Sequence, residues 1–166
     1  MTEDVSIRTA SDEDVRKLVE NPHHRRHFLE HLGNGRGILL FAQRAEVLVG
    51  HVFLRLGPAE EPELRAGLPG VPLLQHLEVL EGHKRGGVAR QLLTEAEQRL
   101  YALGHRQVAL GVSPDNEAAI ALYRSLLFTL WRAQPLKTFR EDLLDNGRIE
   151  RVPELCLVFF KPLTRP

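Results

Sequence analysis

The chain has 166 residues, 43% hydrophobic and 27% charged, which suits one globular domain over 1–166 with enough apolar material for a core. Its 22 Lys and Arg balance 22 Asp and Glu, so bulk charge argues against nucleic acid or a membrane as partner. No apolar stretch is long enough to cross a membrane, and Met1-Thr2-Glu3-Asp4 lacks the layout of a signal peptide, so a cytoplasmic location is expected.

Val5-Ser6-Ile7-Arg8 alternates apolar and polar residues and predicts a short strand. Ser11 with Asp14 three residues later reads as a helix cap, and Val15, Leu18 and Val19 recur at helical spacing up to Asn21-Pro22. Pro22 to Leu32 predicts a second helix with His23, His27 and His31 on one face. No His-Glu-x-x-His pattern or cysteine cluster accompanies them, so they read as a wet or substrate-lining face and no metal is expected. After the turn at 33–37, Ile38 to Ala42 and Val47 to Leu54 read as a hairpin. Gly57 to Val71 is rich in Pro, Gly and Glu and reads as a long surface loop.

An apolar strand, Leu73 to Leu80, then runs into the basic turn Glu81-Gly82-His83-Lys84-Arg85-Gly86-Gly87 and a long helix. A helix N-terminus has free N–H groups and a positive dipole end, and glycines let a ligand approach the backbone, so this turn suits a phosphate. Val88, Leu92, Ala96, Leu100 and Leu103 mark the helix's apolar face, with Gly104 as its stop. Gln107 to Val112 is a buried-type strand, Ser113-Pro114 leads into a helix over Asn116 to Leu127, and Thr129 to Arg132 and Leu155 to Lys161 are strands around the turn Asp145-Asn146-Gly147-Arg148. The single cysteine, Cys156, allows no intrachain disulfide and reads as a small buried hydrophobe in the last strand. The order of elements is that of an α/β or α+β mixed sheet with helices covering its faces.

Two stretches resemble the signatures of the GCN5-related N-acetyltransferases (GNAT). Leu77-Glu78-Val79-Leu80-Glu81-Gly82-His83-Lys84-Arg85-Gly86-Gly87-Val88-Ala89 is similar to the family's strand and Arg/Gln-x-x-Gly-x-Gly/Ala turn. Gly87 and Ala89 match, Lys84 replaces Arg or Gln, and Glu81 stands where many members have Pro. Val108 to Tyr123 resembles the second block, with Asn116, Ala119, Leu122 and Tyr123 on matching places, whereas the usual Gly-Phe after it is Leu127-Phe128. The resemblance implies a largely antiparallel central sheet flanked by helices on both faces, and an enzyme that moves an acetyl group from acetyl-CoA to a primary amine by direct attack. The acceptor would be a small-molecule amine or a protein amino group, with walls from the histidine-rich helix and the 57–72 loop; a homodimer is compatible with it. The cofactor-binding residues it implies are Val79, Leu80, Lys84, Arg85, Gly86, Gly87, Val88, Ala89, Arg90, Asn116, Ala119 and Tyr123. The amides of Val79 and Leu80 would polarise the thioester carbonyl. Tyr123 occupies the general-acid position. Glu78 is the favoured base, with His76 second, on the same strand face by its period of two, and His51 third. The rival reading is a CoA-binding sensor or interaction domain without turnover.

Overall fold

The computed structural model describes residues 4–84 and 86–166, so the readings made on residues 1–3 and on Arg85 lie outside it. Strand β1 (Val5–Thr9) leads into helix α1 (Asp12–Leu18) through a capping box. The Asp14 N–H donates to Ser11 Oγ at 3.2 Å, and the Ser11 N–H donates to the Asp14 carboxylate at 2.8 Å. The Arg8 guanidinium grips the same carboxylate at 2.6 and 2.9 Å and, with the Ser11 amide, holds it well below the usual carboxylate range. Helix α2 (Pro22–Gly33) starts at Asn21, whose side chain accepts from the His23 and His24 amides.

Strands β2 (Gly37–Arg44), β3 (Val47–Arg55) and β4 (Leu73–Val79) form an antiparallel meander. Helix α4 (Val88–Ala102), strand β5 (Gln107–Val112) and helix α5 (Glu117–Ser125) follow. The chain closes with β6 (Thr129–Leu130), β7 (Leu136–Leu143) and β8 (Ile149–Pro162). The sheet order is β1-β2-β3-β4-β5-β8-β6, with β7 paired to β8. Only β4 and β5 pair in parallel among these neighbours. Helices α1 and α2 cover one face around Val15, Phe28, Phe41 and Phe53; α4 and α5 cover the other around Val52, Leu92, Ala96 and Tyr123. No helix among the described residues is long and apolar enough to cross a membrane.

Three details differ from the periodicity. Leu103 is 56% exposed, because α4 stops one residue earlier in a Schellman turn: the Gly104 N–H reaches the Tyr101 carbonyl and the His105 N–H the Leu100 carbonyl, both at 3.0 Å. The 57–71 loop contains a short helix, α3 (Pro62–Gly67), held by Leu64, which is buried against Leu73 and Leu136. The last strands are much longer than expected and run out as a two-stranded ribbon, with Leu155 half exposed on one side and Cys156 half-buried on the other.

Helix α5 also ends early, at Ser125, and Leu127 takes the left-handed conformation (φ 71°) that favours glycine. Its side chain is 74% exposed and so contributes little packing. Leu127→Gly is therefore expected to stabilise the protein by about 0.5–1 kcal/mol, the relief of left-handed strain outweighing the added freedom of the unfolded chain. Urea unfolding checks this, and a midpoint at or below that of the parent refutes it.

Candidate active site

The site begins where two parallel strands part. β4 and β5 are paired at Leu73–Ala109 and Leu74–Leu110 and not beyond. Past that point, Gln75 to Val79 keep β3 as a neighbour but have no partner on the β5 side among the described residues. A bulge sits in this stretch. Phe53 pairs with Gln75 and His51 with Glu78, so Val52 faces two β4 residues, and His76 takes φ 53°. Gln75 and His76 consequently both line the cavity beneath α2, and Leu77 returns to the core under α4. His76 and Glu78 share a side of the sheet, since both approach α2 and Leu77 between them faces α4; the bulge breaks the alternation before His76, not after it. The Leu80 N–H is spent on the Val49 carbonyl at 2.8 Å, which corrects the expectation that both amides stand free. By antiparallel alternation it is Val79 whose N–H points into the split.

Above the split lies the glycine turn. Gly82 and Gly87 have φ of 85° and 80°, and Gly87 caps α4 without any side-chain bond. The opening amides of α4, at Val88, Ala89 and Arg90, thus lack a capping side chain and suit an anion. Lys84 is bound to Glu81 at 2.7 Å, so much of its charge is answered within the turn. Arg90 donates to Ser125 Oγ at 2.9 Å and ties α4 to α5. A basic residue missed in the sequence stands behind the turn. Arg44, at the end of β2, has Nη1 2.6 Å from His83 Nδ1, Nη2 against Gly86, and a buried Nε without a described partner. Its only signal was the hairpin register, which carries the end of β2 alongside the end of β4.

On the far side of the split, Asn116 Oδ1 accepts from the Ala119 N–H at 3.1 Å. These two matched residues therefore serve first as a helix cap, which leaves the Asn116 amide nitrogen for a ligand. Tyr123 is buried on α5, edge-on to Phe128, and its hydroxyl bonds no described residue. Burial raises its pKa, so at neutral pH it is a phenol with a proton to give.

Beneath the split is a cavity of about 500 Å³ between α2, the 57–67 segment and the β7–β8 ribbon. His23, His24 and His27 of α2 line it, as do Glu60 and Glu61, placing both expected wall segments there. The ring centroids of His24 and His27 lie 5.5 and 5.1 Å from that of His76. Burial and the crowd of imidazoles push His76 down to about 3 and His27 down to about 4. His51, 7% exposed on β3, approaches Glu78 with Nε2 3.3 Å from Oε2. Burial outweighs the pull of Glu78 and lowers the His51 pKa, so a neutral ring donates from Nε2 and leaves Nδ1 buried without a partner among the described residues. Among the described residues no group of three or more His, Cys, Asp or Glu is placed to hold a metal. Cys156 also lines the cavity, nearer to the split than its place in the chain suggested. Burial and the Glu61 carboxylate push its thiol up to about 11, so it is a poor nucleophile.

Comparison with known proteins agrees with this geometry. A family model described as the acetyltransferase (GNAT) family matches residues 6–128. No curated protein matches in sequence. Among solved structures, an N-acetyltransferase from Staphylococcus aureus Mu50 superposes with a TM-score of 0.70 at 16% identity, covering 98% of this chain and 100% of that one. The putative acetyltransferase yncA from Salmonella typhimurium, solved with its cofactor acetyl-CoA, gives 0.70 at 17% identity, covering 99% and 96%. NAA60 from Arabidopsis thaliana, in complex with acetyl-CoA, gives 0.68 at 21% identity, covering 96% and 99%.

Proposed function

The chain belongs to the acetyltransferase (GNAT) family, and from that premise we propose that residues 1–166 act as one domain moving an acetyl group from acetyl-CoA to a primary amine by direct attack. The observation that carries the reading is the parting of β4 from β5, with a glycine turn above it and a cavity below. The two sides of one opening suit a phosphate-bearing donor and an amine acceptor.

When bound, acetyl-CoA supplies an acyl carbon activated by its bond to sulfur. The residues suited to hold it are the amides of Gly86 to Arg90, with Lys84 nearby, the free edge of β4 at Val79, and the Asn116 amide nitrogen. The Val79 N–H donates to the carbonyl oxygen as its charge develops. Glu78 takes the proton that the acceptor nitrogen must lose, directly or through water. The nitrogen–carbon bond forms, the carbon–sulfur bond breaks, and Tyr123 gives its proton to the departing sulfur. His76 is too weak a base for the first task, since the cluster holds it neutral far below physiological pH. His51 supports Glu78 from beneath. The high pKa of Cys156 supports a single displacement over an acetylated enzyme.

Free-thiol release from acetyl-CoA against a panel of amines tests the reading, and failure to bind acetyl-CoA by calorimetry overturns it. Tyr123→Phe separates turnover from mere binding. It is expected to leave the acetyl-CoA dissociation constant within about twofold and to lower kcat by about 10- to 100-fold, the share of a general acid whose leaving group is already a good one. An unchanged kcat would remove Tyr123 from the reaction.

A further inference from the structure

We propose that the acceptor is a linear di- or polyamine, whose second ammonium is held in the cavity by Glu61 and Glu141 while the first reaches the β4–β5 split. The inference rests on the reading of the cavity as the acceptor site. Its wall carries five carboxylates, Glu60, Glu61, Glu141, Asp142 and Glu154, against two guanidinium groups, Arg55 and Arg140. Both cations are already engaged: Arg140 pairs with Asp142 at 2.9 Å and Glu154 at 3.4 Å, and Arg55 meets Glu60 at 3.7 Å. Glu61 has only the Thr138 hydroxyl, at 2.9 Å, and Glu141 only the His23 ring, at 2.9 Å, among the described residues. Among the described residues, neither carboxylate is answered by a lysine or arginine.

The rest of the lining fits the stem of such a ligand. Leu64, Leu73, Leu136 and Val158 offer apolar wall between the charged groups, matching methylenes between nitrogens. His24, His27 and His76 stay neutral at physiological pH, so they do not repel a cation and can accept a hydrogen bond from one. The size is that of a small-molecule site. The Thr138–Glu61 and His23–Glu141 contacts tie the ribbon to the start of α3 and to α2, which bounds the cavity where a polypeptide would need an open groove. One nitrogen must be neutral to attack; the other stays protonated and supplies the anchoring charge.

The test is calorimetry on the full chain in the presence of CoA, with diaminobutane, spermidine, butylamine and a lysine tetrapeptide as probes. Diaminobutane and spermidine are expected to bind at least about 30-fold more tightly than butylamine, as befits an added charge-assisted pair. The same order is expected in kcat/KM by thiol release. The double variant E61Q/E141Q should lose that preference while still binding acetyl-CoA, which shows that it folds. Equal binding of butylamine and diaminobutane overturns the proposal, even if thiol release with other amines upholds the acetyltransferase reading. Preference for the tetrapeptide also overturns it, as does a double variant that keeps the diamine preference.

Discussion

Glu78→Gln is expected to lower kcat by about 100- to 1,000-fold at neutral pH while the acetyl-CoA dissociation constant stays within about twofold. The glutamine has the same shape and can still accept from His51 Nε2, so the local packing survives. What it cannot do is take a proton. No neighbour replaces it. His76 and His27 are pushed down to about 3 and about 4, and burial lowers His24 and His51 as well. An ensemble of neutral imidazoles can hydrogen-bond an amine but draws its proton weakly. Because the acceptor is then consumed only as its small neutral fraction, the loss should shrink as pH rises toward the pKa of the free amine. Single-turnover measurements across pH decide the matter; a kcat within about threefold of the parent throughout would remove Glu78 as the base.

The parts of this site that were legible in the sequence are those set by local chemistry. The cap at Ser11 and Asp14, the i, i+4 face of α4 and the glycines of the turn each act within a few residues, and each appears in the structure. The face of α2 was legible in part: of the histidines four apart, His23 and His27 line the cavity and His31 does not, while His24, which that spacing leaves out, does. What escaped depends on cross-strand register. The bulge at His76 arises from how β4 meets β3, and no local signal marks it. It makes Gln75 a cavity residue and gives His76 its place among the α2 rings. Arg44 and Cys156 belong to the same class: one reaches the turn from β2, the other reaches the split from β8, and both distances along the chain are long. The loop over 57–71 hid α3 because its prolines and glycines flank the helix rather than break it, and one buried leucine holds it down.

Register also places the residue whose change should disturb the fold and the donor site together. Gly50, on β3, pairs with Val79 at the lip of the split. A Cβ there would stand 2.8 Å from the Glu78 carbonyl oxygen, 3.2 Å from Val88 Cγ1 and 3.3 Å from Leu92 Cδ1. Two of these neighbours can yield little. The carbonyl belongs to the strand backbone, and Val88 is buried in the first turn of α4. Gly50→Ala must therefore lift the start of α4 or push back the end of β4. Overpacking of this kind is expected to cost about 1–3 kcal/mol, or about 3–10 °C in Tm for a chain of this size. The same displacement moves the Val79 amide and the opening amides of α4, so acetyl-CoA should bind about tenfold more weakly at a temperature where the variant remains folded. Gly33→Ala, at the end of α2 with nothing within 4 Å of the new Cβ, is the matched control and should leave both Tm and binding near the parent values. Thermal unfolding and calorimetry on the two variants separate the effects. A Gly50→Ala protein that melts and binds as the parent does would show that α4 is free to move away from β3, and that its close seat on that strand does not set the donor site.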